Sequence, residues 1–512
     1  MIIKIVLLLI FFAMMITVGV LCRRSATDVN GFVLGGRAVG PWLTAFAYGT
    51  SYFSAVIFIG YAGQFGWKFG IASTWIGIGN AVLGSLLAWV ILGRRTRLMS
   101  QHLQSATMPE FFEKRYASKL LKILAAAIIF VFLIPYTASL YNGLSRLFSM
   151  AFPIPYEVCI VIMAALTAVY VIIGGYMATA VNDFIQGIIM LVGIVAVIAA
   201  VLGQHGGLMG SISELASVSD ATVANGDVPG IFASFFGPDP VNLAAVVILT
   251  SLGTWGLPQM VQKFYAIKNE TSIHKGTIIS TLFAMIVAGG CYFLGGFGRL
   301  VDIDVSALGY DAIIPTMLEN LSDILIAVVV ILVLSASMST LSSLVLTSST
   351  TFVIDLIKPS CKKMTEKRQL FLMRILIAVF VTISAVLALV QYRLKLSSIA
   401  QLMGISWGAL AGAFLAPFLY GLYWKRTTKI ACIVSFIWGV GVMGANMFFP
   451  KIFPAILRSP VNCGAFVMIG ALIIVPLVSL FTKKPNKEDV DAMFTCYETQ
   501  SIAQAKDYLG KS

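Results

Sequence analysis

The chain has 512 residues, of which 59% are hydrophobic and only 11% are charged, and its mean hydropathy is +0.93. Soluble globular proteins carry about 25% charged residues. The composition therefore argues against soluble enzymes, disordered chains, coiled coils and nucleic-acid-binding proteins, and the sequence contains no enzyme motif such as GxxxxGK[ST] or HExxH. It predicts an all-α polytopic membrane protein of the plasma membrane.

Thirteen apolar segments are long enough to cross a bilayer, because a helix needs about 20 residues for the hydrocarbon core. We call them spans 1 to 13. Span 1 has the length of a retained helix rather than a cleaved signal peptide, and Arg23 and Arg24 follow it without a small-residue cleavage pattern. The predicted spans cover residues 2–22, 41–66, 71–93, 121–149, 157–174, 179–202, 241–262, 276–298, 321–350, 372–391, 398–423, 430–449 and 463–482.

The basic residues divide unequally between alternate loops. With the N-terminus outside, 27 of the 35 Lys and Arg residues lie in inside segments, among them Lys263, Lys268 and Lys275 after span 7. Because inside loops are enriched in Lys and Arg, we predict an outside N-terminus and a cytoplasmic C-terminus. The net charge of +13 then reflects topology rather than an acidic partner. Within the core we expect no Lys or Arg apart from Arg146, near the end of span 4.

Spans 2 and 7 contain residues that interrupt helices. Span 2 reads GPWLTAFAYGTSYFSAVIFIGYAGQFG, with small and hydroxyl residues throughout, and span 7 contains Gly253, Gly256 and Pro258. Proline removes a backbone donor, and freed backbone groups at membrane depth are tolerated where they line a cavity or are buried in protein. Two interrupted spans, five apart, predict an inverted repeat with a transporter binding site between its halves. For either span alone, helix packing is an equally good explanation.

Span 9 is rich in hydroxyl side chains. Ser335, Ser339 and Ser342 share one helical face, and eleven hydroxyl residues occur between Ser335 and Thr351. Hydroxyl and carbonyl oxygens without carboxylates suit a monovalent cation, because Mg²⁺ and Ca²⁺ normally recruit carboxylates. The alternative is that these hydroxyls bond to carbonyls of their own helix or pack against neighbouring helices. We favour an ion site.

Asp183 is the acidic residue that lies clearly within a predicted span. A carboxylate in the bilayer is costly and usually functional. The alternative is an interfacial position about one turn into the helix, and the sequence does not separate the two.

Four motifs together resemble the sodium:solute symporter family, which includes the sodium/proline, sodium/pantothenate and sodium/glucose cotransporters. They are FVLGGRAVGPW before span 2, GGYMATAVNDFIQG between spans 5 and 6, GLPQMVQKFYA in span 7 and SASMSTLSS in span 9. The resemblance covers roughly residues 5–430. One departure is Tyr52, where sodium/proline members carry Asp. The local string GTSYFSA is closer to pantothenate-type and related carboxylate transporters.

The resemblance implies a LeuT-type fold, an inverted repeat of five plus five helices formed by spans 2 to 11. It implies Na⁺ as the coupling ion, bound by carbonyls of Thr50, Phe53 and Ala336 and by hydroxyls of Ser339 and Thr340. A second sodium, present in some members, would lie near Asp183, Ser342 and Ser343. The implied solute-binding residues are Tyr48, Ser51, Tyr52, Ser54, Tyr136, Thr254, Trp255, Pro258 and Gln259.

We therefore expect a sodium-coupled symporter, not an enzyme, that imports a small organic solute such as an amino acid, pantothenate or a monocarboxylate, with a sugar less favoured. A passive channel or a sensor that has lost transport are the alternatives, and lithium or proton coupling stays open. We expect a monomer without nucleic-acid partners. The expected organisation is an extra helix and loop (1–40), a first half (41–240), a second half (241–429), two extra helices (430–482) and a tail (483–512).

Overall fold

The computed structural model describes residues 2–152, 154–223, 225–361, 363–394 and 398–509. Three of the basic residues counted above, Lys362, Lys395 and Lys511, lie outside the described residues, as do the last three residues of the predicted tail. In the described part, ten helices are long and apolar enough to cross a membrane. A bent pair, Pro240–Gly256 and Pro258–Ala266, forms one further span with an angle of 47° between its two pieces.

Two of the ten long helices each contain parts of two spans. Tyr156–Gln204 has 49 residues and would be about 74 Å long if straight, more than twice the hydrocarbon thickness. Gly175 interrupts it with a φ of 55°. Tyr170 lies against Gly19 and Gln186 contacts Met15, so both sides of Gly175 reach the same part of span 1. The chain therefore reverses at Gly175, which separates spans 5 and 6.

Gly70 separates spans 2 and 3 in the same way, with a φ of 62°. Before it, Gly49 faces Phe283 and Gly66 faces Gly295, so span 2 runs parallel to span 8. After it, the order of contacts is inverted: Gly77 faces Gly289 and Gly93 faces Ile273. With both reversals the structure contains the thirteen predicted spans.

The bounds of the spans are as follows. Span 1 is Ile2–Cys22; span 2 is Pro41–Tyr52, Val56–Tyr61 and Ala62–Phe69; span 3 is Thr74–Gly79, Asn80–Leu87, Trp89–Gly93 and Arg94–His102; span 4 is Lys119–Ala151; spans 5 and 6 share Tyr156–Gln204; span 7 is Pro240–Gly256 and Pro258–Ala266; span 8 is Glu270–Gly295; span 9 is Asp323–Thr351 and Phe352–Ile357; span 10 is Glu366–Leu394; span 11 is Ile399–Tyr423; span 12 is Lys429–Phe448; and span 13 is Pro460–Phe481.

The loops predicted to lie inside pack together at one end of the bundle, which we call the basic end. The Arg37 guanidinium donates to Ser100 Oγ at 3.1 Å, and Arg97 donates to the carbonyl oxygen of Ile267 at 2.5 Å. Arg115, in the short helix Met108–Tyr116, donates to the carbonyl oxygen of Gly421 at 2.8 Å. Arg97 and Arg115 thus bind carbonyls at helix ends, where the helix itself supplies no partner.

The tail contains a helix that the sequence did not predict, Lys487–Leu509. Its Phe494 and Tyr497 are buried against the basic end, and Tyr497 Oη donates to the carbonyl oxygen of Leu422 at 3.2 Å. Lys425 and Asp491 form an ion pair at 2.8 Å. The tail helix is thus docked on the bundle.

Candidate functional site

The break in span 2 follows from its sequence. Its first helix ends at Tyr52, and Phe53 adopts an extended conformation with φ −86° and ψ 129°. The stretch from Tyr48 to Ser54, YGTSYFS, consists of glycine, hydroxyl and aromatic residues, all of which have low helix propensity, so the local helix is weakly supported. The carbonyls next to the break cannot all find partners within their own helix. They face span 9.

Three carbonyl oxygens surround one hydroxyl at this break. Thr340 Oγ1 lies 3.2 Å from the oxygen of Thr50, 3.2 Å from that of Phe53 and 3.1 Å from that of Ala336. Ser339 Oγ donates to Thr50 Oγ1 at 2.7 Å. All five residues are buried. The structure therefore brings together every residue that the resemblance implied for the first sodium site.

The arrangement is electron-rich, which is what a cation needs. A threonine hydroxyl has a single proton, so Thr340 can donate to only one of the three carbonyls at a time. Among the described residues no group of three or more His, Cys, Asp or Glu side chains could hold a metal ion. Neutral oxygen ligands favour a monovalent over a divalent cation. The residues present thus fit Na⁺, which Thr50, Phe53, Ala336, Ser339 and Thr340 would hold.

A second group of side chains lies beside the break and is aromatic. The Trp407 ring of span 11 contacts the Tyr52 ring at a centroid distance of 6.1 Å and the Tyr136 ring at 5.8 Å. We call these three residues the aromatic cluster. Tyr52 Oη, Tyr136 Oη and Trp407 Nε1 are buried without a well-formed hydrogen bond among the described residues, and Tyr136 Oη lies close to the side chains of Ser54 and Trp407. Ser54 Oγ and both amide atoms of Gln259 share this condition.

Buried polar atoms without partners are rare and call for an explanation. A bound polar solute would supply the missing partners, while the aromatic faces would cover its apolar part. Of the predicted solute residues, Tyr52, Ser54, Tyr136 and Gln259 have free polar atoms of this kind. Pro258 begins the second helix of span 7, next to the break at Leu257.

The other predicted solute residues are committed to hydrogen bonds elsewhere. Tyr48 Oη and Thr254 Oγ1 both donate to the carbonyl oxygen of Gly84, at 2.8 and 3.0 Å. Trp255 Nε1 donates to the carbonyl oxygen of Leu83 at 2.9 Å. These three side chains attach the broken spans to span 3. The fourth, Ser51, shares a hydrogen bond of 2.9 Å with Ser343 of span 9.

The residues implied for a second sodium are also buried, but a lysine lies among them. Asp183 is fully buried, and Lys263 Nζ lies 3.7 Å from its Oδ2. Lys263 also donates to Ser343 Oγ at 3.0 Å. Ser342 Oγ instead donates to the carbonyl oxygen of Ser339 at 2.8 Å. Asp183 is therefore buried within the helix bundle, beside Lys263.

The expectation that Arg146 is the only basic residue near the core is wrong. Span 7 continues as a helix to Ala266, beyond its predicted end at residue 262, and this carries Lys263 into the bundle, where it is 2% exposed. A buried carboxylate needs a counter-charge, so Asp183 itself was a signal that a cation lies nearby. Trp407 was also missed, although a lone Trp among the small residues of GISWGALAG stands out.

Two cavities lie at opposite ends of the broken spans. One of about 830 Å³ opens at the end opposite to the basic end, lined by residues that include Trp67, Asn242 and Asn462. Another, of only about 10 Å³, lies at the basic end between Thr107, Pro258 and other residues. The larger of these two cavities therefore lies at the end opposite to the basic end.

The sodium:solute symporter family model matches residues 32–439, well over half of the chain. The chain belongs to the sodium:solute symporter family. As a member, it is a membrane-embedded, sodium-coupled symporter of a small solute, and its relatives are transporters rather than enzymes.

Curated relatives of this family match along almost the whole symporter. The osmoregulated proline transporter of Bacillus subtilis (strain 168) is 27% identical, covering 93% of this chain and 94% of the relative. The sodium/pantothenate symporter of Escherichia coli (strain K12) is 28% identical, covering 83% and 85%. A sodium/proline symporter of Staphylococcus aureus (strain JH9) is 26% identical, covering 86% and 84%.

Solved structures establish the fold of the symporter. A Na⁺-coupled sialic acid symporter in a substrate-bound outward-open state superposes with a TM-score of 0.72 at 15% identity, covering 94% of this chain and 99% of the other. A nucleobase-cation-symport-1 family transporter in a closed conformation gives 0.50 at 13% identity, covering 90% and 97%. The predicted LeuT-type fold is confirmed.

Proposed function

We propose that this symporter imports a small carboxylate-bearing solute, such as an amino acid, pantothenate or a monocarboxylate, together with Na⁺ bound by Thr50, Phe53, Ala336, Ser339 and Thr340. The observation that carries the sodium assignment is the set of three carbonyls around the single Thr340 hydroxyl. The solute class is supported by the names of the proline and pantothenate relatives. The unpartnered atoms of the aromatic cluster support binding of the solute beside the sodium.

Sodium at this position would connect span 2 to span 9. Two of its carbonyl ligands border the break in span 2, and the other ligands belong to span 9, so binding fixes the shape of the break. An ion that binds one state more tightly shifts the population toward that state. The first half (41–240) and second half (241–429) would then rock about the site by alternating access. One charge crossing about 100 mV supplies about 2.3 kcal/mol, enough for roughly 40-fold accumulation.

We further propose that the N-terminus is outside and the C-terminus cytoplasmic, that residues 1–40, 430–482 and 483–512 are additions to the repeat, and that a monomer transports. The assembly of arginines and lysines at the basic end supports the orientation, because basic loops stay on the inside. Cysteine labelling of the loop at Asp227, against the basic-end residue Lys268, tests it in intact cells.

The test of the function is uptake into proteoliposomes across a panel of radiolabelled proline, pantothenate, short monocarboxylates and a sugar. Each solute is measured with an inward sodium gradient, then with lithium, potassium or a proton gradient instead. We expect accumulation above equilibrium for a carboxylate-bearing solute only with a coupling ion, sodium being the best. Equilibration without accumulation would indicate a channel, and solute binding without flux would indicate a sensor.

The test of the sodium ligands is the double variant Ser339→Ala Thr340→Ala. We expect it to need at least tenfold more sodium for half-maximal uptake, since a hydrogen bond or ligand contact to a charge contributes about 1.5–3 kcal/mol. Thr350→Ala is the matched control, because the Thr350 hydroxyl on the same helix bonds within that helix, to Leu346 at 2.7 Å. Normal uptake by the double variant at low sodium would contradict the assignment.

A further inference from the structure

The Lys263 ammonium is enclosed by groups that would otherwise suit a metal cation. It lies 3.7 Å from Asp183 Oδ2, 3.0 Å from Ser343 Oγ and 5.2 Å from the centroid of the Tyr176 ring. Lys263 and Asp183 are 2% and 0% exposed. A carboxylate, a hydroxyl oxygen and an aromatic face are each attractive to a positive charge. Asp183 and Ser343 are two of the three residues at which a second sodium was expected.

The charges of Asp183 and Lys263 already neutralise each other. Asp183 contributes one negative charge and Lys263 one positive charge, and no group of three or more acidic or other metal-binding side chains exists among the described residues. A sodium ion that bound both Asp183 and Ser343 would lie beside the ammonium. Two like charges a few ångströms apart in a dry interior repel strongly. The residues present therefore do not fit a second sodium while Lys263 remains there.

Ser343 connects the lysine to the break in span 2. Its hydroxyl accepts a hydrogen bond from Lys263 and shares a hydrogen bond of 2.9 Å with Ser51. Ser51 is one residue after Thr50, whose carbonyl oxygen belongs to the first sodium site. The ammonium thus holds spans 6, 7 and 9 in contact at the point where a second ion would otherwise link them.

We propose that Lys263 is a tethered cation that permanently occupies the second cation site, so that this symporter couples one sodium ion, not two, to each solute. The lysine makes the contacts of the second ion but never leaves the protein. This inference rests on the proposed sodium-coupled transport. It predicts a coupling ratio, which can be measured independently of turnover.

The test measures solute accumulation at equilibrium in proteoliposomes as a function of the sodium gradient, with the membrane potential clamped at zero. A tenfold gradient supports about tenfold accumulation with one sodium per solute and about hundredfold with two. We expect a ratio of one for the natural protein. A ratio of two in the natural protein would overturn the proposal, whereas absence of sodium-driven accumulation would instead overturn the proposed function.

Variants then test whether Lys263 sets the number of sodium ions coupled to each solute. Lys263→Met removes the positive charge and leaves Asp183 free to bind an ion, so we expect two sodium ions per solute. The double variant Lys263→Met Asp183→Asn should return this ratio to one. Lys268→Met is the matched control, because Lys268 is an exposed lysine five residues away. We expect this control to keep one sodium ion per solute. If Lys263→Met does not transport, equilibrium binding of radioactive sodium replaces accumulation, with two ions expected per variant and one per natural protein. An unchanged ion count in Lys263→Met would contradict the proposal.

Discussion

The Thr340 hydroxyl lies 3.2 Å from the carbonyl oxygen of Phe53, a residue 287 positions away in the sequence. Phe53 is where the helix of span 2 stops, and Thr340 lies in the buried middle of span 9. The contact joins a carbonyl that the break has freed to a hydroxyl that has one proton for three acceptors. It is the geometric basis of the proposed sodium site.

This geometry predicts that substitutions of Thr340 change the sodium dependence of uptake according to whether they keep the hydroxyl. Thr340→Val keeps the side-chain shape and removes the hydroxyl, so the half-saturating sodium concentration of uptake should rise about tenfold to hundredfold, corresponding to about 1.5–3 kcal/mol. Thr340→Ser keeps the oxygen and should stay within a few-fold of the natural protein. Equal sodium dependence of the Val and Ser variants would show that the hydroxyl is not a ligand.

The aromatic cluster predicts a separate effect on the solute. Trp407→Phe keeps an aromatic ring but removes the unpartnered Nε1, so the KM for solute should rise about threefold to tenfold if that atom donates to the solute. The sodium requirement should not change. Trp438→Phe is the matched control, because Trp438 Nε1 already donates to the carbonyl oxygen of Val467 at 2.9 Å. The same KM in both variants would exclude Trp407 from the solute site.

The reversal at Gly175 predicts a loss of stability. A Cβ added there would lie 2.8 Å from Phe32 Cδ2, and the positive φ is unfavourable for alanine. Gly175→Ala should cost about 1–3 kcal/mol and lower the apparent Tm in detergent. Gly444→Ala, in the helix of span 12 with open space around it, should be neutral or slightly stabilising. Equal Tm values for the two variants would contradict the strained turn.

An ion pair at the end opposite to the basic end predicts a loop whose attachment does not depend on pH near neutrality. Arg299 Nη1 lies 2.9 Å from Asp220 Oδ2 and binds the loop after span 6 to the end of span 8. The Thr222 hydroxyl and, next, Arg299 lower the pKa of Asp220, so the pair persists above the ordinary Asp pKa of about 3.9 and is lost only as the pH falls below it. The protection factors of the amides of residues 217–223 and 225–239, which are exchange rates corrected for the intrinsic pH dependence of amide exchange, should therefore be constant between about pH 5 and 8.

Asp220→Asn should accelerate exchange throughout that pH range because it removes the charge that Arg299 binds. Asp227→Asn, an exposed position in the same loop, provides the control and should leave exchange unchanged. Protection factors that rise or fall between pH 5 and 8 in the natural protein would show that another group controls the loop.

Much of the site could be predicted because its signals are local. Hydroxyl residues at helical spacing in span 9, and Gly and Pro in spans 2 and 7, indicate breaks and oxygen ligands without any knowledge of packing. The hydroxyl pattern singled out Ser339 and Thr340, whereas the carbonyls of Thr50, Phe53 and Ala336 were implied by the family resemblance alone. Assigning solute ligands was less direct, since Tyr48 and Trp255 lie in the right spans but their polar atoms bind carbonyls of span 3.

The sequence by itself determined the membrane class, the thirteen spans, their two interruptions and the hydroxyl-rich helix, because apolar length and helix-breaking residues act within a few turns of chain. Only the tertiary structure decided that Lys263 meets Asp183, that Trp407 covers Tyr52 and Tyr136, and that the tail helix docks on the basic end. Each of these contacts joins segments far apart in sequence. Their partners depend on how thirteen helices pack against one another, which no local pattern specifies.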